Sequence, residues 1–275
     1  MTSHLFSVDV EEYFQVNAFE SVVPRDDWDR YPTRLRPSVE VLLDLLDRHG
    51  AKGTFFTLGW VAERHPDVVR AIARRGHELA SHGWWHRRIP TLTPAEFRAE
   101  VRNSKTAIEQ LTGQPVTGYR APSFSILPGF EWAFDVLLEE GYRYDSSRFP
   151  IRLPGYGSPG TNPAPHRIER PSGSLLELPP ATVTWLGLRL PAAGGGWFRQ
   201  LPYAFTKGAF AAWSAQGVPA MFYIHPWEVD PDQPRLPVGA VTCLRHYNGL
   251  GRTLPRLDRL LREFRFTSVA QAFPA

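Results

Sequence analysis

Short apolar runs alternate along this chain with longer stretches in which apolar positions recur every three to four residues. Residues 5–10 form a compact run rich in β-formers and end in acidic residues, the pattern of a buried strand running into a polar site. Pro37 opens a helix in which Val39, Leu42, Leu43 and Leu46 share one face, and Gly50 ends it. A second strand is predicted over 53–58, a helix over 60–75 closed by Gly76, and a third strand over 77–81. A helix over 94–111, a short strand near Tyr119, a helix over 130–140 and a strand over 142–145 continue the series. This β-α-β order implies a parallel sheet.

The second half is less regular. Residues 150–171 are loaded with Pro, Gly, Ser and Asn and predict a long irregular loop. Apolar runs at 175–178 and 221–224 predict further strands, separated by the Gly194-Gly195-Gly196 turn and a helix over 203–216. A helix over 254–264 and a strand near Phe266 follow. The 275 residues suit one large α/β domain better than two small ones.

Composition narrows the function classes. Hydrophobic residues at 43% and charged residues at 21% describe a globular chain rather than a disordered one. The net charge is +3, but the basic residues are dispersed instead of forming runs, which argues against nucleic acid as a partner. Cys243 is the only cysteine, so an intrachain disulfide and a thiolate metal cluster are both excluded, and a reducing compartment fits. The first residues show no basic segment followed by an apolar one, and no apolar stretch is long enough to span a bilayer. The expectation is a cytoplasmic protein without a membrane span.

The candidate chemistry gathers at predicted strand ends. His82 and His86 stand four apart in Ser81-His82-Gly83-Trp84-Trp85-His86, a spacing that on one helical turn lets two imidazoles hold one metal. Taken alone, that spacing more often marks a surface or packed pair. The acidic run Asp9-Val10-Glu11-Glu12 adds to it, because residues two apart in a strand share a face and Asp9 and Glu11 then project together. One carboxylate can complete a site of two histidines and a carboxylate, leaving the other as general base. His225 follows the run at 221–224, where an imidazole can protonate a leaving amine, unless it is a buried structural histidine. Arg120, in Gly118-Tyr119-Arg120-Ala121-Pro122-Ser123, can pair with a carboxylate at the site or form an ordinary salt bridge.

With these motifs in order, the chain resembles the polysaccharide deacetylases of the NodB homology class over most of its length. The likeness rests on Ser7-Val8-Asp9-Val10-Glu11, Thr54-Phe55-Phe56, Gly76-His77-Glu78-Leu79-Ala80-Ser81-His82 with His86, Arg120-Ala121-Pro122-Ser123, and Ile224-His225. The resemblance implies Asp9 as base, Glu11, His82 and His86 as metal ligands, Arg120 as the partner that orients Asp9, the Ser123 backbone N–H as oxyanion donor and His225 as acid. It implies one divalent metal ion, zinc first, with cobalt or nickel as alternatives. A narrower likeness, to exosortase-system-associated deacetylases of exopolysaccharide loci, rests on residues 9–14, the triple glycine with Arg199, Pro202 and Tyr203, and residues 225–231. Those relatives carry an extension resembling residues 217–266.

The chain departs from the broader pattern in three ways. The usual adjacent aspartates are replaced by Asp9 and Glu11 with a residue between, so Glu12 is an alternative ligand if the strand ends early. Ser123 stands where many relatives have an aromatic, and the aspartate that supports the acid histidine has no clear counterpart, leaving Asp145, Glu177 and Glu228 as candidates. The expectation is a single-domain distorted (β/α) barrel of seven strands, with an open doubly wound sheet as the alternative. Its expected activity is hydrolysis of N-acetyl groups on an N-acetylhexosamine polysaccharide or its precursor, with Trp227 and Arg199 contacting the glycan. Two alternatives are the same site opening a cyclic ureide, and a noncatalytic glycan-binding or assembly protein.

Overall fold

The computed structural model describes residues 2–152 and 157–274. Its strands are β1 (Ser3–Val10), β2 (Thr54–Thr57), β3 (Glu78–Ser81), β4 (Gly118–Tyr119), β5 (Tyr144–Asp145), β6 (His166–Arg170), β7 (Gly173–Glu177), β8 (Thr182–Trp185), β9 (Leu188–Pro191), β10 (Met221–Ile224) and β11 (Arg265–Thr267). The main sheet runs β10-β1-β2-β3-β4-β5-β7-β6, with β11 also paired to β1, and β8 and β9 form a separate hairpin. Every pairing in the main sheet is parallel except the β6–β7 hairpin. Parallel strands covered on both faces need continuous apolar sequence, and seven of the eight residues of β1 are buried.

A parallel bridge from Pro180 to Met221 returns the β7 side of the sheet to β10, with Ala181 N donating to Met221 O at 2.9 Å. The seven parallel strands β1–β5, β7 and β10 therefore curve back on themselves. A single bridge stands where a regular barrel would have a full strand pair, which is the distorted barrel the motifs imply. Residues 217–266 supply β10, at the end of the sheet order against β1, and β11, which also pairs with β1, begins within the same stretch.

The helices are α1 (Leu35–Arg48), α2 (Gly59–Arg64), α3 (Pro66–Arg74), α4 (Pro94–Thr112), α5 (Trp132–Glu139), α6 (Gly195–Gln200), α7 (Tyr203–Ala215), α8 (Ala240–Tyr247), α9 (Thr253–Glu263) and α10 (Val269–Ala272). Their apolar faces pack on the sheet: α1 buries Val39, Leu42, Leu43 and Leu46, and α4 buries Phe97, Val101 and Ile108. A capping box between Thr93 and Glu96 starts α4, and Gly113 at φ +67° ends it. Among the described residues no helix is long and apolar enough to cross a membrane.

Three expectations change. The helix over 60–75 is two helices, because Pro66 lacks an N–H and pushes His65 out of the helical region, to φ −129° and ψ 54°. The loop over 150–171 contains β6, which gains a partner in β7, while its residues 153–156 lie outside the described residues. The β8–β9 hairpin and α8 are additional elements, and the hairpin exposes Trp185, Leu186 and Leu188.

Candidate active site

Asp9, Glu11, His82, Arg120 and His225 all lie at or just beyond the C-terminal ends of β1, β3, β4 and β10. Parallel strands bring such ends to one mouth of the sheet. Asp9, still within β1, and Glu11, one residue past its end, are both buried.

The histidine pair converges by a route other than the helical turn. β3 stops at Ser81, Gly83 takes φ +77° and His86 φ +51°, and the bent loop brings the two rings to 5.3 Å between centroids. Several contacts fix this loop. Gly59 N donates to Gly83 O at 2.8 Å, and Glu100 accepts from Trp84 N and Trp85 N at 2.7 and 2.9 Å. Arg25 and Asn17 both donate to His86 O, at 3.2 and 3.3 Å. Arg25, Asn17 and Glu100 are supports that motif reading did not single out, since each acts on backbone from a distant part of the sequence.

His82 Nδ1 lies 2.7 Å from Arg120 O, so an Nδ1–H donated there leaves Nε2 as a lone-pair donor. Burial lowers the His82 pKa to about 4, keeping the ring neutral as ligation requires. His86 Nε2 is 2.7 Å from Glu11 Oε2. His86 Nδ1, on the other side of the ring, is buried without a hydrogen-bond partner. Burial raises the Glu11 pKa, but the charge and hydrogen bond of His86, with the charges of His225 and His82, outweigh it and lower the value to about 2. Glu11, His82 and His86 offer ligand atoms within 4.8 Å of one another. Two imidazoles and one carboxylate brought this close in a buried site suit a divalent cation, and the donor set suits zinc.

Glu12 is engaged elsewhere. Its carboxylate accepts from Thr33 Oγ1 and from Arg34 N and Leu35 N, the latter two at 3.1 Å, at the start of α1. It holds the helix terminus, and Glu11 faces the histidines.

Arg120 and His225 flank Asp9 and Glu11. Arg120 Nη1 donates to Asp9 Oδ1 at 2.5 Å, Nη2 donates to Ser146 Oγ at 2.9 Å, and the guanidinium lies 4.1 Å from the Phe56 ring centroid. His225 Nε2 stands 3.8 Å from Asp9 Oδ2 and 3.7 Å from Glu11 Oε1, while Nδ1 is 2.7 Å from Glu228 Oε1. Burial works to lower the His225 pKa; the Glu228 contact and the charges of Glu11, Glu228 and Asp9 prevail and raise it to about 9. Of the three carboxylates considered as support for His225, Glu228 makes the contact. Asp145 and Glu177 face each other in register across β5 and β7, where burial raises both pKa values and the Asp145 charge raises that of Glu177 further.

Two expected glycan contacts are corrected. Arg199 is buried at 1% exposure, and its guanidinium donates to Glu228 Oε2 and to the carbonyls of Arg245, His246 and Asn248. Four of its five N–H groups are thus engaged inside the protein. Trp227 is also buried; its ring stacks on His225 and His246 at centroid distances of 5.0 and 4.0 Å, and Nε1 donates to Glu11 Oε1 at 3.2 Å. It braces the carboxylate instead of offering a face to a sugar. Ser123 is exposed, in a left-handed conformation at φ +55°, and its Oγ donates to Asn17 Oδ1 at 2.6 Å. That contact links the Arg120 turn to the residue holding the His86 carbonyl.

Residues 26–132 match the family described as polysaccharide deacetylase. Residues 146–274 match a domain of unknown function (DUF3473). A peptidoglycan-N-acetylglucosamine deacetylase of Bacillus cereus is 32% identical over 93 residues, 34% of each chain. A chitin deacetylase of a Pestalotiopsis species is 36% identical over 87 residues, 30% of this chain and 29% of its own. The matched stretch thus spans about a third of these curated relatives. A Mycobacterium smegmatis structure assigned to the polysaccharide deacetylases covers 98% of this chain and 88% of its own, with TM-score 0.67 and 22% identity. The Puue allantoinase covers the same shares with TM-score 0.66 and 18% identity. These two share the fold.

The two matched segments divide the site between them. The polysaccharide deacetylase segment supplies His82, His86, Arg120 and Ser123, and the segment of unknown function supplies Arg199, His225, Trp227 and Glu228. Asp9 and Glu11 precede both.

Proposed function

We propose that this chain is a metal-dependent hydrolase that removes N-acetyl groups from N-acetylhexosamine units of a polysaccharide or its precursor. The observation that carries the reading is the triad Glu11, His82 and His86 set beside two differently partnered proton-handling groups, Asp9 with Arg120 and His225 with Glu228. A divalent ion on the triad, zinc first with cobalt or nickel as alternatives, would polarise the acetyl carbonyl and acidify water. Asp9, fixed by Arg120, accepts the proton of the attacking water. His225, held protonated by its carboxylate neighbours, delivers a proton to the departing amine, and the Ser123 backbone N–H is the proposed donor to the oxyanion. The relatives' names support an N-acetylated glycan, and the motifs at 9–14 and 225–231 alone are the ground for proposing an exopolysaccharide as the substrate and the exosortase-associated subgroup as the lineage.

The test is acetate release from a panel of N-acetylated and O-acetylated glycans, with zinc, cobalt, nickel or no metal, run beside a ring-opening assay on a cyclic ureide. The reading expects metal-dependent acetate release from an N-acetylhexosamine oligomer. Ureide opening without acetate release, or acetate release that is indifferent to a chelator, would overturn it.

A further inference from the structure

The acid histidine is the one reacting group whose support comes wholly from the segment of unknown function, and that support runs through a buried ion pair. Glu228 stands three residues after His225 and uses one oxygen for His225, Oε1 meeting both its backbone N at 3.1 Å and its Nδ1 at 2.7 Å. Its other oxygen, Oε2, accepts from Arg199 Nε at 2.7 Å. Arg199 and Glu228 are 1% and 0% exposed, so neither charge is shared with water. Arg199 spends three of its four remaining donors on the carbonyls at the end of α8: Nη1 on His246 O at 2.7 Å and Asn248 O at 3.0 Å, and Nη2 on Arg245 O at 3.1 Å. The last carbonyls of a helix carry partial negative charge, which suits a buried guanidinium.

We infer that Arg199 is a positioning residue for His225: it locks Glu228 between the end of α8 and the imidazole, holding Nδ1–H on Glu228 so that the protonated Nε2 faces Asp9 and Glu11. The inference rests on the deacetylase reading for its kinetic part and on geometry alone for its structural part. Four groups in line, Arg245–Asn248 backbone, Arg199, Glu228 and His225, make the segment of unknown function the builder of the acid half of the site. His246 extends the same brace, because its ring stacks on Trp227 while its Nε2 meets Gln233 Oε1 at 2.8 Å. The helix whose end anchors Arg199 thus also backs the tryptophan that touches Glu11.

Two measurements on the full chain test this. The first is leaving-group dependence: kcat for an N-acetylated chitooligosaccharide, whose amine needs a proton, is compared with kcat for 4-nitrophenyl acetate, whose phenolate leaves without one. Arg199→Met and Glu228→Gln are expected to lower the ratio of the two by at least tenfold at unchanged metal content, with KM for the oligosaccharide within about threefold, the scale of a weakened general acid. Glu228→Asp should recover part of the ratio. Parallel losses on both substrates, or an unchanged ratio, would overturn the inference. The second is the Nδ1–H proton of His225 in the NMR spectrum, expected at low field in the wild type and lost or shifted in both variants. An Nδ1–H signal insensitive to Arg199→Met overturns the inference whatever the activity shows. A wild type that releases no acetate but keeps the Arg199-dependent signal retains the positioning role and ends the deacetylase reading instead.

Discussion

Glu11 and Glu12 are neighbours in sequence and both buried, yet the structure gives them opposite tasks, so substituting each should break a different property. Replacing Glu12 by alanine removes the acceptor for Arg34 N and Leu35 N at the start of α1, and the partner of Thr33 Oγ1. A buried donor left unpaired costs roughly 1–3 kcal/mol, and losing an N-terminal cap costs about 1 kcal/mol. A total of about 3 kcal/mol is therefore expected, and at roughly 2–4 °C per kcal/mol for a chain of this size the Tm should fall by roughly 6–12 °C. Bound zinc should stay at one ion per chain. Glu11→Gln should instead weaken zinc by more than the 10–100-fold typical of losing an outer-shell partner, because the lost group is a ligand. Differential scanning calorimetry and a competitive zinc titration on both variants decide the matter. Loss of zinc in Glu12→Ala with retention in Glu11→Gln would refute the assignment.

Three further outcomes follow from the geometry. Trp227→Phe keeps the ring but removes the donor to Glu11 Oε1, so zinc affinity should fall about 10–100-fold in the same titration, and an unchanged affinity would show that the contact does not tune the ligand. Gly59→Ala places a Cβ 2.3 Å from the Trp84 ring, which must push the 82–86 loop away; overpacking of this kind costs about 1–3 kcal/mol, and both Tm and zinc content should drop. His4, His77 and His246 are buried with pKa values lowered by burial to about 4, 4 and 3. The folded state therefore binds fewer protons than the unfolded chain once the pH falls below the ordinary value of 6.5, so stability is full above that value and declines as the pH drops towards 4. Urea titrations over this range should show net proton uptake on unfolding, to which these three rings contribute, and a flat profile would contradict their burial.

The parallel half of the fold was legible because the runs at 5–10 and 53–58 are compact and rich in β-formers and alternate with amphipathic helices bounded by Pro and Gly. The β8–β9 hairpin was not: its Trp185-Leu186-Gly187-Leu188 tip is apolar yet exposed, the reverse of the pattern that marks a buried strand. α8 escaped for a related reason, exposing Val241 and Leu244 while burying His246 and Tyr247. In the site, residue type and spacing pointed to Asp9, Glu11, His82, His86, Arg120 and His225, which the fold brings to one mouth. Spacing alone gave the wrong local geometry for the histidines, since positive φ at Gly83 and His86 leaves no periodicity to read. Direction was also hidden. Arg199 and Trp227 sit in motifs that suggest glycan contact, but both point into the protein, and only tertiary packing reveals that Glu228 rather than Asp145 or Glu177 meets His225. A sequence-level trace of Glu228 does exist, in its position three residues after the start of a short turn, where a side chain reaches back to the first backbone N–H.

The central claim is that Asp9 moves a proton beside a metal it does not hold. Asp9→Asn preserves size and keeps an oxygen facing Arg120 while abolishing the basic carboxylate, so bound zinc and acetate release measured on the same preparation separate the two roles. One zinc per chain with acetate release from an N-acetylated oligosaccharide reduced by 10²-fold or more, the scale of a lost general base, is the predicted result. Wild-type turnover in Asp9→Asn, or loss of zinc in step with activity, would contradict the account.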